Sequence, residues 1–274
     1  MDSWILYNGA LIPKCAPHLN NFSELDVKKV LKGQKALFAR WISDWDCPQK
    51  TEWWYCIKSG NVDLSQMTSK QRYEIRKGLK NSNVFLIKEL DISLINEIFD
   101  CAKDAFSDYP PKYRPILVYN EFVEELQNLI KYGDLWGCRD IESGILSGYG
   151  YCTINEKVVN LKIIKTRPRF QKKNVNAVIP YSICCYYLNE KHNLYVCDGA
   201  RNIYHETNYQ DYLVRTLNFR YAYCRLNIVY TFWMKVVVTL LYPIRKLFAL
   251  GVNFNFLAKI SAVLKQEQIR RSFK

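Results

Sequence analysis

Val158-Val159-Asn160-Leu161-Lys162-Ile163-Ile164 leads, after a short link, into Arg169-Phe170-Gln171-Lys172-Lys173-Asn174-Val175-Asn176, and then into an apolar run from Ala177 to Leu188. The first segment is β-branched and reads as a strand. The second is a basic turn, and the third reads as a helix. Leu194-Tyr195-Val196-Cys197 follows as a short strand, and Thr207 to Leu217 as a further helix ending in Asn218-Phe219. A strand that opens through a basic turn onto a helix N-terminus presents unpaired backbone N–H groups and a positive dipole end, the geometry that binds a pyrophosphate. The expected occupant is an activated donor such as a coenzyme A ester.

Working outward, three segments before this one have strand character: Leu135-Trp136-Gly137-Cys138-Arg139, Gly144 to Thr153, and the Val158 run itself. Ahead of them, Ile92, Ile95, Ile98, Phe99 and Ala102 recur at helical spacing, and so do Phe122, Val123, Leu126, Leu129 and Ile130. These predict helices over 91–106 and 120–132, the first stopped by Tyr109-Pro110-Pro111. Leu64 to Asn81 predicts another helix, with Thr68 or Ser69 as its N-cap. Residues 1–60 mix short apolar runs with Trp and Pro and predict strands and loops. Asn8-Gly9 between two apolar runs is a hairpin signal. Arg220 to Tyr230 predicts one or two more strands.

Thirty-nine Lys and Arg against 26 Asp and Glu leave the 274-residue chain at +13, a charge that favours anionic partners. Ten cysteines are scattered without a CxxC pair, and three histidines (His18, His192, His205) supply no zinc framework. Met1-Asp2-Ser3-Trp4 lacks a basic segment followed by an apolar core, so no secretory signal is read and free thiols in a reducing cytoplasm are expected. No metal is expected.

The element order from residue 91 onward resembles the GNAT acyltransferase fold: two helices, a three-strand meander, the donor turn and helix, then strand, helix and strand. The family's Arg/Gln-x-x-Gly-x-Gly/Ala turn aligns with Gln171, Asn174 and Asn176, with Asn in place of both glycines. Asn is the residue other than Gly that most readily adopts positive φ. Thr207-Asn208-Tyr209 through Leu217-Asn218-Phe219 resembles the family's late helix, often Asn-led, with Asn218 where Gly is usual. The basic helix Arg72-Tyr73-Glu74-Ile75-Arg76-Lys77-Gly78-Leu79-Lys80 resembles a helix of the Fem-type, GNAT-related transferases, and the chain is similar to GNAT-like proteins of bacterial surface-polysaccharide gene clusters. The resemblance implies an α+β fold: a mixed, mostly antiparallel twisted sheet flanked by helices, with a shortened N-terminal half and a C-terminal amphipathic helical tail. The boundaries read as 1–88 for the N-terminal strand and loop region with its basic helix, 89–231 for the GNAT-like core, and 232–274 for the tail.

The same resemblance implies acyl transfer from an acyl-CoA donor to an amine or hydroxyl, with an amino-sugar or surface-glycan precursor as acceptor. Arg169, Gln171, Lys172, Lys173, Asn174, Val175, Asn176 and Asn208 are the candidate donor-binding residues. Arg72, Arg76 and Lys80 recur every four residues on one helical face and are the candidate substrate-binding row. Proton transfer needs a base and an acid. Glu206 and His205, in a loop that also holds Asp198, Arg201 and Tyr204, are the candidate bases, and Tyr221 and Tyr223 the candidate acids. The alternatives are a tRNA-dependent aminoacyl transferase of Fem type, and a membrane-associated degenerate transferase without catalysis.

Phe232 to Ile244 is apolar apart from Lys235 and Thr239, and shorter than the ~20 residues a membrane span requires. Lys235, Thr239, Tyr242 and Lys246 share one helical face. Trp233, Val236, Val237, Leu240, Leu241, Ile244 and Phe248 share the other. That pattern predicts an interfacial amphipathic helix, ended or kinked at Pro243, that brings residues 232–274 to an acidic membrane surface. The expected location is the cytoplasm, with peripheral attachment to the inner membrane face.

Overall fold

A computed structural model describes residues 3–111, 114–203, 208–250 and 255–273. The chain packs as two compact units. The first comprises 1–56, 200–208 and 221–274; the second comprises 57–199 and 209–220.

In the first unit, β1 (Trp4–Tyr7) and β2 (Ala10–Pro13) form the hairpin that Asn8-Gly9 predicts, with φ of 49° and 80° at the turn. β2 runs parallel to β3 (Phe38–Ser43), which pairs antiparallel with β11 (Arg225–Tyr230). Residues 1–60 are not strands and loops alone: α1 (Glu24–Lys32) lies among them. The Ser23 side chain caps it by accepting from the Asp26 N–H, and Val27 and Leu31, four residues apart, are buried. Nine residues give too short a stripe to stand out from the sequence. The tail forms α7 (Phe232–Leu241), a 3-10 turn holding Pro243 (Tyr242–Ile244), α8 (Arg245–Leu250) and α9 (Asn255–Ser272). Pro243 stands just past the last residue of α7. α9 buries Ala262, Leu264 and Ile269, and the Arg40 guanidinium of β3 donates to Gln266 at 2.7 Å.

β4 (Trp54–Ser59) carries the chain out of the first unit and into the second. There β5 (Ser82–Ile87), β6 (Asp134–Asp140), β7 (Leu146–Asn155) and β8 (Val158–Thr166) pair antiparallel in sequence order, and β9 (Tyr195–Ala200) joins β8 in parallel. α3 (Ile92–Ser107) and α4 (Tyr119–Tyr132) pack Ile95, Ile98 and Leu126 with Tyr149 and Tyr151 of β7. The alternate β7 positions face α5 (Val175–Cys184), as the strand period of two requires. Gly148 is what lets that helix approach: a Cβ there would come within 2.7 Å of Ile179. Helical structure extends past Cys184 as a π turn over Cys185–Glu190.

α2 (Ser69–Asn81) has a full capping box: the Thr68 side chain accepts from the Gln71 N–H, and Gln71 Oε1 accepts from the Thr68 N–H. The Gln71 Nε2 group donates to the Arg215 carbonyl and to Asn218 Oδ1, both at 2.7 Å, tying α2 to the end of α6 (Tyr209–Leu217). β10 (Arg220–Tyr223) then leads the chain back to the first unit.

Candidate active site

The second unit holds a splayed pair of parallel strands. β8 and β9 are in register at Val158–Tyr195, Val159–Val196 and Asn160–Cys197, and the register ends there. At the same level the pairing of β8 with β7 shifts, Tyr151 lying opposite Ile163 and Cys152 opposite Leu161, so that Lys162 is an extra residue. An extra residue bends its strand and increases the local twist. β8 therefore leaves β9 and continues to Thr166, where the chain enters the 3-10 turn Pro168–Lys173 and α5. The opening between the two strands has the Asp198 carboxyl as the first side chain beyond the paired residues of β9. Burial pushes that carboxyl up to about 7, against a hydrogen bond from Gln210 of α6 that acts in the opposite sense. Gln210 also donates to the Gly199 carbonyl at 3.4 Å. A carboxyl held near neutral pH is suited to general base work.

Of the two asparagines that stand in place of glycine in the turn at the far end of β8, one has positive φ. Asn174 adopts φ 61°, ψ 32° in the left-handed region, and its side chain makes no cap bond to α5. Asn176, by contrast, is helical, and its Oδ1 accepts from the Thr166 hydroxyl at 2.7 Å. Val175 is fully buried. Gln171, Lys172 and Arg169 are exposed; the Gln171 carbonyl accepts from the Asn174 N–H, and Arg169 lies 5.0 Å from the Phe170 ring. Lys173 is committed to Asp140 at 2.7 Å and Glu142 at 2.8 Å, and these bonds raise its pKa. Arg167 points inward: it donates to the Leu146 and Glu97 carbonyls at 2.8 and 3.3 Å and pairs with Asp104. It holds the start of the turn and leaves no fork for a ligand.

α2 packs against this turn because residue 78 is glycine: a Cβ would meet Val178 Cβ at 2.9 Å and the Asn174 carbonyl at 3.0 Å. The outer face of α2 forms an open groove of about 610 Å³ lined by Ser69, Arg72, Tyr73, Arg76, Lys77, Lys80 and Asn81. Arg72 donates back to the Met67 carbonyl and to Ser69 at 3.2 Å. Arg76, Lys77 and Lys80 have no carboxylate partner among the described residues, and Lys77 stands 6.0 Å from the Tyr73 ring. The row is thus a cationic strip whose middle and far end are uncommitted.

The remaining sequence candidates fall in the first unit. Tyr221 and Tyr223 surround Trp54, with ring centroids 5.2 and 6.4 Å from it, and Arg201 sits 4.5 Å over the same indole while pairing with Glu52 at 2.6 Å. Asn208 is exposed in that unit too, just ahead of α6, whereas the turn belongs to the second unit. His205 and Glu206 lie outside the described residues. Asp198 enters the sequence reading only as a neighbour of that pair. Its signal there is slight, an acid followed by glycine at the end of an apolar strand, and what separates it from the buried Asp140 and Glu267 is that a neutral amide, rather than a cation, opposes its burial.

Buried thiols are pushed upward, Cys101 and Cys197 to about 12 and Cys152 to about 11, so they stay protonated and unreactive near neutral pH. Among the described residues no group of His, Cys, Asp and Glu could hold a metal ion, and no helix is long and apolar enough to cross a membrane.

Neither a protein-family model nor a curated protein sequence matches the chain. Solved structures do resemble it. L-PGS from Bacillus licheniformis has a TM-score of 0.53 at 9% identity, over 99% of this chain and 86% of that one. The C-terminal DUF2156 domain of a putative lysylphosphatidylglycerol synthetase from Agrobacterium fabrum has 0.51 at 9% identity, over 86% and 82%. FemX has 0.49 at 9% identity, over 72% of each chain. The chain has a GNAT-like α+β fold, with an antiparallel-rich sheet, flanking helices and a helical C-terminus.

Proposed function

We propose that this chain is a group transferase that moves an acyl or aminoacyl group from an activated donor to an amine or hydroxyl, with Asp198 as general base. The observation that carries this reading is the Asp198 carboxyl, raised to about 7 where β8 and β9 part. In the reaction the acceptor nitrogen or oxygen attacks the donor carbonyl and its proton passes to Asp198. The bond from the carbonyl to the donor's sulfur or oxygen breaks, and that leaving atom takes up a proton.

For the donor, the free cations favour an aminoacyl-tRNA. Lys173 and Asn176 are already engaged within the protein, while Arg76, Lys77 and Lys80 offer a strip with no paired acid to several successive phosphates. The name putative lysylphosphatidylglycerol synthetase, carried by the Agrobacterium fabrum protein whose C-terminal domain has a similar fold, describes an aminoacylated lipid and agrees with this reading. An acyl-CoA donor is the second reading, supported by the left-handed Asn174 and the uncapped start of α5, where backbone N–H groups suit a pyrophosphate. The acceptor proposed from the sequence is an amino-sugar or other surface-glycan precursor. Both donors are cytoplasmic compounds, so the proposal carries a cytoplasmic location.

Filter binding of tRNA across a salt series, alongside the thermal midpoint with millimolar acetyl-CoA or longer acyl-CoAs, separates the readings. Tight tRNA binding that weakens steeply with salt and no shift with acyl-CoA supports aminoacyl transfer. The reverse pattern supports acyl-CoA, and neither response overturns the proposal.

A further inference from the structure

α7 presents two apolar faces, and among the described residues only one of them is buried. Val238 is buried, with Met234 and Leu241 half-buried beside it. Phe232, Trp233, Val236, Val237 and Leu240 are exposed, Trp233 to 77% and Leu240 to 69%. At 3.6 residues per turn these five share one arc of about 140°, opposite the buried side. The patch continues at both ends. Ile244 and Leu247 follow it along the chain and are exposed as well. Before it, the Thr231 N–H donates to the carbonyl of Leu37, itself exposed to 55%. The rings of Phe232 and Trp233 meet edge to face at 5.4 Å and make one aromatic surface.

Charge says what kind of surface fits. Between Thr231 and Gln266 the sequence carries Lys235, Arg245, Lys246, Lys259 and Lys265 and no Asp or Glu. Lys235 and Lys246 are exposed. Glu24, whose charge Lys235 feels, is already paired with Lys28 at 2.5 Å. An apolar arc carrying Trp, Phe and Leu, rimmed by cations, matches the boundary between acyl chains and anionic headgroups.

We infer that α7 and the start of α8 form a membrane-docking surface: Phe232, Trp233 and Leu240 enter the acyl-chain boundary of an anionic bilayer while Lys235 and Lys246 meet its headgroups. This surface stands on its own contacts and does not depend on the transfer chemistry.

Sedimentation of the full chain with phosphatidylcholine vesicles, with and without phosphatidylglycerol, tests the inference. The wild-type protein is expected to pellet with the anionic vesicles, and the W233S/L240S variant to bind about tenfold more weakly or worse. K235E/K246E is expected to lose the preference for anionic over neutral lipid. The substituted side chains are exposed, so the thermal midpoint should hold. As a check independent of the serine variant, brominated acyl chains should quench the wild-type tryptophan fluorescence, and W233F should lose that quenching. Absence of binding to the anionic vesicles overturns the inference, as does binding unaffected by W233S/L240S. So does a wild-type dimer that W233S/L240S converts to monomer, which would give the face to a second copy of the chain.

Discussion

Asn160 of β8 lies opposite Cys197 of β9, and it is the last β8 residue in register with that strand. Asp198 follows at once, half-buried and without a β8 partner across from it. Its raised pKa has a definite sign in the stability of the protein. For a group raised on folding, the stabilising contribution is complete below the ordinary carboxylate value of about 3.9 and is lost as pH rises through the folded value, here about 7. Asp198→Asn removes that loss. The variant should match wild type near pH 4 and exceed it in stability above pH 7, by up to about 4 kcal/mol at roughly 1.4 kcal/mol per pKa unit. Urea unfolding at the two pH values measures this. In turnover, wild-type kcat/KM should rise through an apparent pKa near 7, while Asp198→Asn runs flat and about a hundredfold or more lower. An unchanged pH profile would remove Asp198 from the reaction.

Gly78 shows packing overriding helix propensity. Gly→Ala in an exposed helix interior stabilises by about 1 kcal/mol. Here the added methyl would lie 2.9 Å from Val178 Cβ and 3.0 Å from the Asn174 carbonyl, with backbone on one side and a β-branched residue on the other. Overpacking of this kind costs about 1–3 kcal/mol. Gly78→Ala should therefore be neutral to destabilising and Gly78→Val clearly destabilising. Denaturant midpoints of the two variants check the order, and a gain in stability for Gly78→Ala would mean that α2 stands further from the turn.

The cations divide into fixed and free, and tRNA affinity should follow that division. Arg76→Gln and Lys80→Gln should each weaken binding and reduce the slope of log affinity against log salt by about 1. Lys173→Gln should leave the slope alone, since its ammonium already bonds Asp140 and Glu142. Filter binding across a salt series reads both quantities. Equal slopes for all three variants would take the donor away from α2.

Local chemistry was readable in the sequence wherever the physical cause is local. The Asn8-Gly9 turn, the Thr68 cap and the positive φ of Asn174 and Asn218, at 61° and 55°, all follow from residues within a few positions. The roles of the basic residues do not. Arg167 and Lys173 look alike in the run from 167 to 173, yet one is a buried staple and the other reaches in from the surface to the buried Asp140. Their partners Asp104 and Asp140 are 63 and 33 residues away in the chain, and no periodicity announces them. β5 is hard to read for a similar reason: Ser82–Ile87 begins where α2 ends at Asn81, with no Gly or Pro between helix and strand to punctuate it. Asp198 is distinguished by burial beside the neutral Gln210 rather than a cation, a property of the whole fold.

Glu267 provides the opposite pH test within the other unit. Its side chain is 2% exposed, and burial works against its charge. The hydrogen bonds prevail: Arg270 donates twice at 2.8 Å, Arg271 at 2.7 Å and the Tyr230 hydroxyl at 3.0 Å, so the carboxyl is held below its ordinary range. A depressed carboxylate contributes stability that is present above the unfolded value of about 4.3 and is lost as pH falls through the folded one. Glu267→Gln keeps the shape but removes the charge that Arg270 and Arg271 share. Both guanidiniums are partly exposed and can turn to water, which limits the cost to about 2 kcal/mol, below the 3–5 kcal/mol of a fully buried broken pair. Urea unfolding should show that deficit at pH 7 and a smaller one at pH 3, the reverse of the pattern for Asp198→Asn. A deficit independent of pH would mean that Glu267 acts through packing alone.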